Sequence, residues 1–351
     1  MAHIRLFLAT ILLVSLTACT SEQRQVYTPP DSRVNGNTGL DASRNILIDG
    51  SGTVSVISEA MKEQFRKVNP NVRIAIGKNG TGDGFTRFCL GVTDISMAAR
   101  PIKKSEIEAC QKNNIEFVEL PLALDGISLV VNRTNTWAIC LKPQELSKIW
   151  ESAASGKIVN WNQVRNDYPD QYPLILAGPA VGTGTVDYFS EMIIGKGGKI
   201  RNDYKTSEEE SVTVQTIASE PGGLGFTSFS RYLKNQNILK ALAIENKEGK
   251  CVQPSPETIA NSSYNPLSRP LFIYVSKTAL KENHAVKVFA SYHLNAANRS
   301  LISESGYVPL PDNLLAKVRS RLDHAIAGSI FEEGSPANVK LADKLASSKQ
   351  R

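Results

Sequence analysis

Two uninterrupted apolar runs of strand length, LALDGISLVVN at 122–132 and RPLFIYVS at 269–276, constrain this chain more than any other feature. Strands that are buried on both faces read this way, and they belong to mostly parallel sheets covered by helices on both sides. The two runs lie about one domain's worth of sequence apart. We read them as a pair of strands crossing between two lobes. The chain then leaves lobe 1 (45–132) near 132, builds lobe 2 over 133–266, and returns to complete lobe 1 over 267–333. Two lobes also suit the length, since the roughly 290 residues of the body exceed what one core usually holds.

Around these runs, apolar β-rich segments alternate with amphipathic helical ones, the pattern of an α/β fold. Residues 45–49 read as a strand and 54–68 as a helix whose Ile57, Met61, Phe65 and Val68 recur at helical spacing. Pro70 ends that helix ahead of a strand at 72–76. The turn Gly80-Thr81-Gly82-Asp83-Gly84 opens a short helix carrying Phe85, Phe88 and Cys89. Further helices are expected near 104–113, 143–152 and 185–194, and a last one from Leu314, Val318, Leu322 and Ile326. The remainder, 334–351, reads as a frayed polar tail.

The N-terminus bears charge only near its start, at Arg5, and is apolar from Leu6 to Leu16, which marks an export signal. Leu16-Thr17-Ala18-Cys19 has the form of a bacterial lipobox, so 1–18 are expected to be removed and the Cys19 thiol to be lipidated. Residues 19–44, rich in Thr, Ser, Pro, Asn and Gly, then form a flexible tether. Loss of Arg5 with the signal reduces the net charge from +6 to +5, and no basic run with interleaved aromatics occurs, so nucleic acid is a poor partner. Cys89, Cys110, Cys140 and Cys251 remain after Cys19, an even number that favours two disulfides in an oxidising compartment. No Cys-x-x-Cys is present and the histidines are not spaced as ligand pairs, so neither a metal nor a cofactor is expected.

Three segments share one design, small hydroxyl and glycine residues directly ahead of a helix: Gly50-Ser51-Gly52-Thr53, Gly80-Thr81-Gly82 and Gly182-Thr183-Gly184-Thr185. The first amides of a helix are unpaired and its dipole is positive there, so each turn can receive an anion. Three turns, one of them in lobe 2, point to convergence on a single oxyanion between the lobes. Arg100 offers a planar fork suited to two oxygens of that anion. The run Gly195-Lys-Gly-Gly-Lys199 fails as a nucleotide loop, because Ile193 stands where its first glycine is needed and Ile200 where Ser or Thr should follow.

From about Ile46 to Gly328 the chain resembles the periplasmic phosphate-binding proteins of Pst-type ABC transporters, especially their cyanobacterial PstS/SphX branch. The motifs that carry this are IDGSGTV, GTGDGFTRFC, TDISMAARPIK, LSKIWESAASGKIVNWNQV and GPAVGTGTVDYF. The resemblance implies a type II periplasmic binding protein, two α/β lobes joined by two hinge strands, acting as a monomer that carries inorganic phosphate to permease subunits. Carried over by position, the phosphate ligands would be Ser51, Thr53, the Val54 amide, Thr81, Arg100, Thr183, Gly184 and Thr185. Met97 and Gly182 stand where close relatives often have Asp, so the acceptor for the proton of monohydrogen phosphate must come from elsewhere, with Asp83 and Asp125 as candidates. The lobe boundaries favour the pairs Cys89–Cys110 and Cys140–Cys251, since any other connectivity would tie the lobes together and hinder closure. The competing classes are an exported phosphoryl-handling enzyme, and a sensor or binder of another oxyanion. Against an enzyme stand the lack of a Gly-x-Ser-x-Gly elbow and of a nucleophile with a histidine partner.

Overall fold

A computed structural model describes residues 45–331 and 341–347. The expected signal peptide, Cys19 and tether lie outside the described residues. The first lobe opens with β1 (Asn45–Gly50), α1 (Gly52–Val68), β2 (Arg73–Ile76), α2 (Thr81–Cys89), β3 (Ile95–Ala98), α3 (Lys104–Lys112) and the long β4 (Phe117–Asn132). The second contains β5 (Cys140–Leu141), α4 (Pro143–Trp150), β6 (Ile175–Pro179), α5 (Gly184–Ile193), β7 (Lys205–Ser207), α6 (Glu210–Ser219), β8 (Gly223–Ser228), α7 (Phe229–Leu233), β9 (Leu239–Ala241), β10 (Ala243–Glu245), β11 (Cys251–Val252) and α8 (Pro256–Ala260). The chain returns through β12 (Ser268–Ser276) to α9 (Lys277–Glu282), α10 (His284–His293), α11 (Arg299–Glu304), β13 (Val308–Pro309), α12 (Asp312–Asp323) and α13 (Leu341–Ser347).

One sheet runs through the molecule in the order β2-β1-β3-β12-β4-β8-β6-β7. Parallel pairs flank each end, while β12 and β4 are antiparallel at its centre. These are the two apolar runs seen in the sequence, and β4 is buried along its whole length. At 16 residues it is about 53 Å long, enough to serve both lobes. It pairs with β12 up to Gly126 and with β8 from Ile127, so the crossing falls earlier than the expected exit near 132. A run buried on both faces is apolar throughout, and so carries no mark of where its partners change.

Helix α1 begins at Gly52 because the Ser51 hydroxyl caps it, accepting from the Val54 amide at 3.4 Å. Its Ile57, Met61 and Phe65 enter the core at the expected spacing. Lobe 2 is filled by Trp150 and Phe189 against Phe226, the latter two stacked at 4.1 Å between ring centroids. Both expected disulfides are formed: Cys89–Cys110 ties α2 to α3, and Cys140–Cys251 closes a small three-stranded sheet, β11-β10-β5. The polar-tail reading of 334–351 does not hold at its centre, where Leu341 and Leu345 bury one face of α13 and Lys344 lies over the Phe331 ring. Their i, i+4 spacing supplies an apolar stripe too short to stand out in a polar segment.

Buried His293 links α10 to α1, its ring between Ser58 Oγ at 3.2 Å and the Phe289 carbonyl at 2.9 Å. Burial pushes its pKa from 6.5 down to about 4. The unfolded chain therefore binds this proton first, so the stability is intact above the unfolded pKa and declines as pH falls through the window down to about 4. At about 1.4 kcal/mol per pKa unit the loss amounts to roughly 3 kcal/mol. Urea unfolding at pH 7 and pH 4.5 should show a smaller acid loss for His293→Gln, which cannot charge; equal losses would place the acid sensitivity elsewhere.

Candidate functional site

The C-terminal end of β1 carries the first turn and the loop after β2 the second. They are locked together: the Gly80 amide donates to the Gly50 carbonyl at 3.0 Å, and the Ser51 amide to the Met97 carbonyl at 2.9 Å. A Cβ on Gly84 would lie 2.5 Å from the Gly50 Cα, so only glycine lets the first turn of α2 approach this closely. Beneath them, buried Asp49 accepts from the Gly50 amide (2.7 Å) and from the Asn79 side chain (2.7 Å) and amide (3.2 Å). The third turn comes from lobe 2, where the Thr183 hydroxyl caps α5 by accepting from the Val186 amide.

These three helix starts face one cleft of about 780 Å³ between the lobes. Ser51, Thr53, Thr81, Asp83, Arg100, Thr183, Gly184 and Thr185 all border it. Val54 is fully buried just behind, its amide on the Ser51 hydroxyl. The lobes touch across the cleft, since a Cβ on Gly184 would meet Thr81 Oγ1 at 2.4 Å.

A hydroxyl has one hydrogen to give, so its partners decide what it can offer a ligand. Thr183 spends its hydrogen on the Ala180 carbonyl at 2.8 Å, which leaves it a helix cap and not a donor to the cleft. Thr81 and Thr185 are the reverse case. The Thr81 oxygen receives the Ala99 amide at 3.3 Å and the Thr185 oxygen the Arg269 guanidinium at 3.0 Å. Both hydrogens have no acceptor among the described residues.

Arg100 borders the cleft, but its fork is taken by two carboxylates that border the cleft as well. Nη1 and Nη2 grip Glu106 at 2.8 and 2.7 Å, Nη1 also reaches the Pro101 carbonyl, and Nε donates to Asp187 at 2.9 Å. Burial opposes the charge, yet Glu106 and then Asp187 more than offset it and raise the guanidinium's pKa. The expected two-oxygen grip on an anion is thus directed at Glu106 in the structure. Glu106 is placed by the start of α3, where it also accepts from the Lys103 amide. Asp187 is in lobe 2 and receives Lys103 Nζ at 3.0 Å as well, so Arg100, Lys103 and Asp187 form an ion-pair latch across the closed cleft.

The two candidate acceptors separate. Asp83 is exposed on the cleft wall in the first turn of α2, whereas Asp125 is buried, not among the cleft-lining residues, and paired with Arg269 at 2.8 Å. Sequence reasoning missed Asp49, Glu106, Asp187 and Arg269. Glu106 and Asp187 each had a local signal, as acids in the first turn of a helix. Among the described residues no cluster of His, Cys, Asp or Glu could hold a metal ion, and no helix is long and apolar enough to cross a membrane.

Two lobes on a double-strand hinge, with hydrogen-bond donors facing inward from both sides, define a solute-binding clamp. Residues 34–297 match the family described as PBP superfamily domain. The SphX protein of Synechococcus elongatus is 42% identical over 300 residues, which cover 86% of this chain and 88% of that one. The phosphate-binding protein PstS of Staphylococcus haemolyticus is 34% identical over 75% of this chain and 80% of its own. A Clostridium perfringens ABC-transporter substrate-binding protein, crystallised with bound phosphate, is 25% identical with a TM-score of 0.64, covering 76% of this chain and 100% of that one. The chain belongs to the PBP superfamily, in the family of extracytoplasmic binding proteins that includes SphX and PstS.

Proposed function

We propose that this chain is a lipid-anchored extracytoplasmic protein, held by Cys19, that captures inorganic phosphate between its lobes and delivers it to the membrane subunits of an ABC permease. One observation supports this most strongly. Three helix N-termini from two lobes border one cleft where the Thr81 and Thr185 hydroxyls each receive a protein donor and keep their own hydrogen to give. Amides, dipoles and donor hydroxyls together suit a small oxyanion, with no net positive charge needed. The ligands in this reading are Ser51, Thr53, Thr81, Gly184 and Thr185, with the Val54 amide given to the Ser51 cap, Thr183 capping α5 and Arg100 flanking the site in the latch. No bond is made or broken: the protein binds and releases, and is not an enzyme.

Only one of the two candidate acceptors borders the cleft, so Asp83 is assigned the role of accepting the phosphate proton, which sulfate lacks. Calorimetry of the exported chain with phosphate, sulfate and arsenate at pH 6 and pH 8 tests the reading. Phosphate should bind and sulfate should bind far more weakly, and Asp83→Gly should narrow that gap while leaving phosphate bound. Absence of phosphate binding would overturn the function, and an unchanged gap would remove Asp83 from it.

A further inference from the structure

The binding reading gives no role to Arg269, the most deeply buried cation among the described residues. Arg269 is fully buried where β12 begins, at the hinge, and it ties together three segments. Nε and Nη2 donate to Asp125 on β4 at 3.1 and 2.8 Å. Nη1 donates at 3.3 Å to the carbonyl of Ala99, just ahead of Arg100. Nη2 donates at 3.0 Å to Thr185 Oγ1, which arrives from lobe 2 on the first turn of α5. A threonine within a helix often returns its hydrogen to a carbonyl one turn back. Thr185 donates to no carbonyl among the described residues, whereas its neighbour Thr183 holds the Ala180 carbonyl.

We infer that Arg269 is a positioning residue which, once lobe 2 closes on the hinge, turns the hydrogen of the Thr185 hydroxyl toward the cleft. The guanidinium occupies one of the oxygen's two lone pairs, so the hydrogen points away from Arg269, and the cleft is the side that offers it an anion. Asp125 neutralises the buried charge, which lets it sit beneath an anion site without solvent. Because Asp125 and Arg269 stand on the two crossing strands, the contact to Thr185 is made at the hinge itself. The result is a site that favours ligand oxygens lacking a proton and disfavours ligands that present a donor there. This rests on the oxyanion reading of the cleft.

The test is a double-mutant cycle with inorganic phosphate as the probe, measured by calorimetry on the exported chain. Two forms of the Arg269 change are used. Arg269→Gln with Asp125→Asn removes both charges together, and Arg269→Lys keeps the ion pair but loses the fork that spans Asp125 and Thr185. Each should weaken phosphate about tenfold to a hundredfold, the range for a hydrogen bond to a charged group. Thr185→Val should do the same, and adding either Arg269 change to Thr185→Val should cause no further loss. Thr185→Ser, which keeps the hydroxyl, should lose less than Thr185→Val. A merely structural arginine would give losses that multiply, which would overturn the inference, as would Thr185→Val binding phosphate as tightly as wild type. If one Arg269 variant does not fold, by circular dichroism, the other completes the cycle; if neither folds, Arg269 is structural and the inference falls. Wild-type protein that ignores phosphate would instead sink the binding reading itself.

Discussion

Gly184→Ala should weaken phosphate binding by roughly a hundredfold while leaving the unliganded protein as stable as wild type. An added Cβ would lie 2.4 Å from Thr81 Oγ1 and 3.2 Å from the Ala99 Cβ. Neither neighbour can yield easily. Thr81 is fully buried and its oxygen is fastened to the Ala99 amide. Overpacking of this kind costs about 1–3 kcal/mol, and relieving it means parting the lobes, since Gly184 and Thr81 belong to opposite sides of the cleft. The open form escapes the clash and the closed form does not, so the effect appears in affinity and not in the melting of the empty protein. Calorimetry would measure it directly, and the phosphate-induced rise in melting temperature should shrink in parallel. Wild-type affinity in the variant would mean that the ligand is held without this closure.

Replacing Cys140 and Cys251 by serine should remove about 5 kcal/mol of stability, against about 3 kcal/mol for Cys89 and Cys110, in the chain-entropy model. The difference follows from loop length, 111 residues of separation against 21. The longer loop encloses nearly all of lobe 2, and the bond joins the edge strands β5 and β11 of its small outer sheet. The three strands there are two or three residues long, too short to hold alone. Urea unfolding of the two double variants beside wild type checks the ranking, and a larger loss from the Cys89–Cys110 pair would refute it.

How far the residues alone carried the picture depends on the reach of each interaction. Helix starts were legible because a cap is a matter of three or four neighbouring residues: Ser51 and Thr183 each hold an amide three positions on. The crossing strands were legible from apolarity, and the disulfide pairs from a lobe boundary that needed to be only roughly right. The centre of the tail was not, because two leucines in a polar segment gain meaning only from the surface that covers them. The roles of hydroxyls and charges were hardest. Thr183 and Thr185 are two residues apart in one motif, yet one spends its hydrogen on a local carbonyl and the other keeps it. What separates them is Arg269, 84 positions from Thr185.

By itself, then, the order of residues determined several of the strands and helices, that the lobes are two, and that three glycine- and hydroxyl-rich turns open helices, because propensity, capping and burial patterns act over short stretches. Only the tertiary structure decided that Arg100 grips Glu106 and Asp187, that Asp125 serves the hinge, and which hydroxyls still have a hydrogen to give. Those outcomes depend on which donor reaches which acceptor first in a crowded interior, and that competition is settled by groups far apart in the chain.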